Sequence, residues 1–167
     1  TRSRLRCWLG ARRGEAIWIL FDATGRIDLN GVARAGRRHQ DMEVVRGDGV
    51  IGLRIPAPPE IGVSASARNN AWTFTLAAHV TRGDFAGLDR IVTSDGKGTL
   101  VAHFAREGVV RWIQDPEIGD RMAVGLFGGP AEGVDTRRAT VEASMLPSAH
   151  GAVLETRADG VTVTEWE

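Results

Sequence analysis

The chain has no tyrosine, a single cysteine (Cys7) and a single lysine (Lys97). One cysteine excludes an internal disulfide and any multi-cysteine zinc site. No apolar stretch reaches the about 18 residues that a membrane-crossing helix requires, so no membrane insertion by this segment is expected. The opening "TRSRLRCWLGARRGEAIW" sets arginines on both sides of a very short apolar patch, unlike a signal peptide. The missing initiator methionine is read as the mark of a fragment or processed form. Long 3.6-residue periodicity is also missing, which argues against a helical bundle.

What is present points to strands. Twenty-one glycines and six prolines punctuate short apolar runs along the whole chain, and 43% of residues are hydrophobic, enough for a packed core. "AIWILFD" is an apolar run of buried-strand type. Asp48-Gly49 lies between "MEVV" and "VIGLRI", and Asp159-Gly160 between "GAVLETR" and "VTVTEW"; both specify hairpins. Asn69-Asn70 is a third turn. Its flanks alternate, with Val63, Ala65 and Ala67 sharing a face with Trp72, Phe74 and Leu76. "RMAVGLFGGP" is a strand running into a turn.

Four landmarks recur in order. Trp18 is followed by Trp72, "DLNGVAR" by "DFAGLDR", Asp48-Gly49 by Asp95-Gly96, and "PEIG" at Pro59–Gly62 by "PEIG" at Pro116–Gly119. Their offsets of 54, 56, 47 and 57 residues suggest a duplicated unit near 54 residues. The expected fold is one all-β domain, 1–167, of tandem hairpin units over about 15–70, 71–125 and a partial 126–167. Such units form an elongated array of small sheets, the favoured form, or a β-sandwich. "DLNGVAR" is read as a short helical turn or tight bend. Ile61 and Ile118 are both expected to be buried.

Chemistry is sparsely written. Gly47, Gly49 and Gly52 have the spacing of a dinucleotide fingerprint, but "LRIPAPP" follows where that fingerprint needs a helix. The glycines are therefore hairpin and strand residues. His39, His79, His103 and His150 form no local metal pair, and neither a metal nor a cofactor is expected. Asp115, Glu117 and Asp120 cluster around the second "PEIG", where an aspartate before proline reads first as a turn residue. Cys7, amid Arg4, Arg6 and other basic neighbours, reads as a small buried hydrophobe of a first strand.

Interaction candidates are Arg37, Arg38 and His39 in "ARAGRRHQ", the near-terminal Trp8 and Trp166 as exposed platforms, and Asp115 and Asp120. Trp18, Trp72 and Trp112 read as core. A basic loop without interleaved aromatics, in a chain of zero net charge, fits an acidic protein surface better than nucleic acid. Residues 1–50 carry ten arginines against six acidic residues, whereas residues 113–167 carry four against ten. That polarity suits packing against a neighbouring domain or copy, or two solvated faces.

The segment Arg111 to Val163 carries the turns "DPEIGD", "LPSAHG" and "ADGVTV". It resembles the β-rich region of large bacterial envelope proteins that also bear tetratricopeptide repeats, and the hairpins "VSASARNNAWTFTLA" and "VLETRADGVTVTEW" are similar to those of AMIN-type envelope modules. The resemblance implies a periplasmic or cell-envelope, non-catalytic scaffold with a protein partner. Three functions are carried forward: a protein-interaction or scaffold module, a cell-wall glycan-binding module, and a hydrolase using Asp115, Asp120 and His150.

Overall fold

The computed structural model describes residues 7–30, 41–68 and 71–165. The described residues contain no helix. In chain order the strands are β1 (Trp8–Arg13), β2 (Ala16–Phe21), β3 (Glu43–Gly47), β4 (Val50–Pro56), β5 (Gly62–Arg68), β6 (Ala71–Ala77), β7 (Asp84–Phe85) and β8 (Gly87–Val92). They continue as β9 (Gly98–His103), β10 (Gly108–Gln114), β11 (Arg121–Phe127), β12 (Glu132–Gly133), β13 (Arg138–Ala139), β14 (Ala143–Leu146), β15 (Ser148–His150) and β16 (Ala152–Thr156). The chain is all-β, built from antiparallel hairpins with one short parallel pair, β7 with β12.

Most strands belong to one ten-stranded sheet that folds over on itself. Its first half runs β3-β4-β2-β1; its second half is β10-β11-β16-β14-β13. The halves are joined where Trp8 of β1 pairs with Phe127 of β11, and β15 adds a short pairing to β1. Leu9, Trp18, Leu20, Val45 and Val50 of the first half pack with Ile113, Met122, Val124, Leu126 and Val153 of the second. The body is thus a β-sandwich, and the separate small sheets are additions to it. Of the two expected forms, an array of small sheets and a sandwich, the described residues combine a large folded sheet with three two-stranded ones.

The first half is covered on its other face too. Ile17, Ile19 and Ile55 pack against Ile61 and Val63, with Phe74 and Leu76 of the β5–β6 hairpin closing over them. Side chains of β2 that point either way are therefore dry, which is why this strand is uniformly apolar rather than alternating. Each fully buried Leu or Ile is worth ~1.5–3 kcal/mol here. Arg12 fastens this third layer, with its guanidinium donating to the carbonyls of Ala57, Pro58 and Ile61 at the start of β5.

Turn chemistry mostly follows the sequence. Gly49 and Gly96 take φ of +70° and +80° in the β3–β4 and β8–β9 hairpins, conformations that suit glycine. Gly52 is a strand residue whose Cβ, if it had one, would overlap the Ile19 carbonyl, so the fingerprint spacing serves packing. β5 and β6 pair Val63 with Leu76, Ala65 with Phe74 and Ala67 with Trp72, in the expected register; the turn at Asn69-Asn70 lies outside the described residues.

"DLNGVAR", expected as a helical turn or bend, lies outside the described residues from residue 31 onward, and its counterpart "DFAGLDR" forms β7 and the start of β8. Two expectations are corrected. No strand follows Asp159-Gly160 among the described residues, so that turn makes no hairpin there. The two "PEIG" segments also occupy unlike places. The first carries the chain from β4 in the large sheet to β5 in a separate one, and Ile61 is 8% exposed beneath the third layer. The second is the turn between the paired strands β10 and β11, and Ile118 is 64% exposed. There Asp115 accepts the amides of Glu117 and Ile118, which holds a tight turn with its tip in solvent. The tetrapeptide therefore marks no equivalent position in a repeated unit.

Candidate protein-interaction surface

The acidic candidates are committed to an internal lock. Arg13, at the end of β1, points between the halves of the sandwich and is buried. It donates to Asp115 at 2.5 Å, to Asp120, and to Glu155 of β16 at 3.0 Å. Burial is the largest single influence on Arg13 and opposes its charge. The bonds from Asp120, Glu155 and Asp115, together with the Asp120 charge, outweigh it and hold the guanidinium pKa above its ordinary value. Two more arginines cross the same interface: Arg54 of β4 pairs with Glu117, and Arg111 of β10 with Asp22 at 3.1 Å. Through Arg13 the basic early segment meets the acidic late one inside the molecule, whereas the Arg111–Asp22 pair runs in the opposite sense.

His150 does not join that cluster. Its ring is fully buried and stacks on Trp8 at 4.0 Å. Nδ1 accepts the Glu132 amide and Nε2 donates to the Phe127 carbonyl, so both nitrogens are engaged in the backbone around β15. Desolvation lowers its pKa, against the raising effects of the Phe127 carbonyl bond and the Glu132 charge. A neutral imidazole with neither nitrogen free offers the two aspartates no proton relay. Ser148, the neighbouring hydroxyl, is buried as well and donates to the Gly151 carbonyl.

The tryptophans are redistributed. Trp8, expected as an exposed platform, is 2% exposed, because Trp72 and Phe74 of the β5–β6 hairpin close over it. Trp112, expected in the core, is half-buried on the outer face of β10 beneath the Arg121 guanidinium, 4.7 Å from its ring centroid. Trp166, Arg37, Arg38 and His39 lie outside the described residues. Cys7 is half-buried against the sandwich core, just before β1. His79 is exposed beyond β6, and His103 at the end of β9 is bound to Asp89 at 2.8 Å.

Two clefts among the described residues bear on ligand binding. One of about 240 Å³, between β5 and β15, is floored by Trp8, Ile17 and Val63 with Arg12 and Arg82 at its rim. It is smaller than the roughly 300–1,000 Å³ of typical small-molecule sites. The other, about 660 Å³, runs along the unpaired seam between β3 and β10. Its arginines are already engaged, Arg46 by the Gly25 carbonyl, Arg111 by Asp22 and Arg121 by Trp112.

The unsatisfied surface is elsewhere, on the β8–β9 hairpin. No other strand makes more than marginal contact with this arm, Thr140 of the β13–β14 connection lies against Gly98, and Ile91 and Val92 are 50% and 62% exposed. The loop Ser94-Asp95-Gly96 is closed by Thr93 and Lys97, with the Thr93 amide on the Lys97 carbonyl at 2.9 Å. Hydrogen-bonded and non-bonded pairs alternate from that point. Ile91–Thr99, Asp89–Val101 and Gly87–His103 are then the bonded pairs, and Leu88, Arg90, Val92, Gly98, Leu100 and Ala102 turn their amides and carbonyls outward. Among the described residues, none of the outward groups of β9 is bonded to another part of the chain. From Gly98 to Ala102 that edge carries no charge and no proline, the features that normally blunt an open edge.

Sequence reasoning named Asp95-Gly96 as a turn between apolar runs but not the open edge of the arm it closes. The available signal was Asp95-Gly96 between "GLDRIV" and "GTLVAH", two runs with no consistently polar face. No family model, no curated protein and no solved structure matches this chain.

Proposed function

We propose that this chain is a non-catalytic protein-interaction module, and that it binds an extended segment of a partner by strand addition to the β8–β9 arm. The observation that carries the reading is the open, uncharged β9 edge on a hairpin with exposed apolar residues and little support from the body. A two-stranded hairpin is marginal alone, and a third strand gives it both backbone bonds and an apolar face to share. The engagement of His150, Asp115 and Asp120 in structural bonds favours this reading over hydrolysis. The burial of Trp8 removes one of the two platforms on which glycan binding rested. A periplasmic or envelope setting is part of the proposal on the strength of the turn resemblance, and cell fractionation tests that part.

The binding test is selection of short displayed peptides on the full chain. Wild type enriches extended, β-branched sequences, and Leu100→Pro, which removes one outward amide of β9, abolishes the enrichment. Enrichment unchanged by Leu100→Pro, or retention on peptidoglycan without peptide selection, overturns the reading.

A further inference from the structure

We infer that the strand docking on β9 is β9 of a second copy of this chain, an inference that rests on the protein-binding reading above. A two-fold axis normal to a sheet pairs identical strands antiparallel and keeps each side chain on its own face. Only registers that oppose residues of the same face are then allowed. With Leu100 opposite Leu100 of the second copy, Gly98 falls opposite Ala102, and all outward amides and carbonyls of both β9 strands are bonded. Thr99 then faces Val101 across a non-bonded pair.

Charge selects β9 over β8 for this pairing. Self-pairing of β8 centred on Arg90 opposes Arg90 to its own copy, and the next register opposes Asp89 to its own copy. β9 brings no like charges together in any register between Gly98 and Ala102. The result is a four-stranded sheet in the order β8-β9-β9-β8. One face carries the row Val92, Gly98, then Ala102 and Leu88 of the second copy, and the other carries Ile91 and Thr99, then Val101 of the second copy. The exposed Val92 joins a row with Ala102 and Leu88 of the second copy, and Ile91 joins a row that ends on Asp89 of the second copy; the space a Cβ would take at Gly98 is lined by Thr140.

Sedimentation of the full chain from micromolar to submillimolar concentration tests this. The wild type should rise to twice the monomer mass, while Leu100→Pro and Ala102→Pro stay monomeric with unchanged far-UV circular dichroism, since neither removes a bond of the β8–β9 ladder. Register is read in a Cys7→Ala background. Thr99→Cys mixed with Val101→Cys should give disulfide-linked dimers on oxidation, several-fold more than either variant alone, because opposed non-bonded pairs have the spacing a disulfide needs. A wild type that stays monomeric while still selecting peptides overturns the self-pairing and leaves strand docking standing. A monomer that selects none overturns both. A dimer that survives both proline variants, or cross-links no faster in the mixture, also overturns the inference.

Discussion

The β5–β6 and β8–β9 hairpins are built alike, each a two-stranded antiparallel ribbon outside the main sheet, yet they end in opposite circumstances. β5–β6 carries Val63 with Trp72, Phe74 and Leu76 on one face and lays that face on β1, β2 and β4. Arg12 binds three carbonyls of the segment leading into it. β8–β9 has apolar residues on both faces but no aromatic ones, and no comparable clamp. A ribbon with a single aromatic face finds a place on the body; one with small apolar residues on two faces has no preferred side to bury. The first is part of the fold, and the second is available to something else.

The comparison can be broken or sharpened at four points. The largest effect is expected from Arg13→Ala, which leaves Asp115 buried without its ion-pair partner beside Asp120, while Glu155 keeps Arg137. A cost of ~3–5 kcal/mol in urea unfolding is expected, and a loss under 1 kcal/mol would show that the sandwich halves do not depend on this lock. Phe74→Ala removes the ring that packs on Trp8 and Phe21. It should cost ~2–4 kcal/mol and loosen β5–β6 in hydrogen exchange ahead of the sandwich. Equal exchange in both hairpins before the mutation would already undo the contrast.

Acidification acts through His150. Because burial holds its folded pKa below the unfolded value, the neutral ring stabilises the fold above about pH 6.5. That contribution declines as pH falls, when the unfolded chain takes up a proton that the folded one resists. The midpoint of unfolding should drop through that window in wild type and change less in a folded His150→Gln variant. The smallest effect belongs to the arm: Ile91→Ala at monomer concentrations should shift stability by no more than ~0.5 kcal/mol. A loss comparable to that of Phe74→Ala would mean that β8–β9 is held by the body after all.

Much of the local structure was legible. Asp48-Gly49 and Asp95-Gly96 are hairpin turns because glycine accepts positive φ, and the alternation around Asn69-Asn70 gave the β5–β6 register. The dismissal of the glycine fingerprint rested on prolines that no helix tolerates. Burial was less legible. Trp8 and Trp112 each lie in a short apolar strand, and only the covering β5–β6 hairpin makes one dry while the other meets Arg121 at the surface. The carboxylates Asp115 and Asp120 were found as a group, but their partner Arg13 lies about a hundred residues away in sequence and could not be named from spacing.

Two identical tetrapeptides show where the boundary falls. In both, proline and glycine allow the chain to turn, and that much belongs to the covalent structure and to φ preferences acting within a few residues. Whether the turn leads to a new sheet or back along the same one depends on which strand edges are free when the layers meet. Ile61 is dry because a third layer lies over it, and Ile118 is wet because Asp115 holds its turn at the rim. The sequence by itself determined the strands, the hairpin turns and the pattern of charge. Tertiary structure decided which face of each strand was covered, which arginine met which carboxylate, and which hairpin kept an open edge. Burial and ion pairing are set by groups far apart in the chain, and no local preference encodes their meeting.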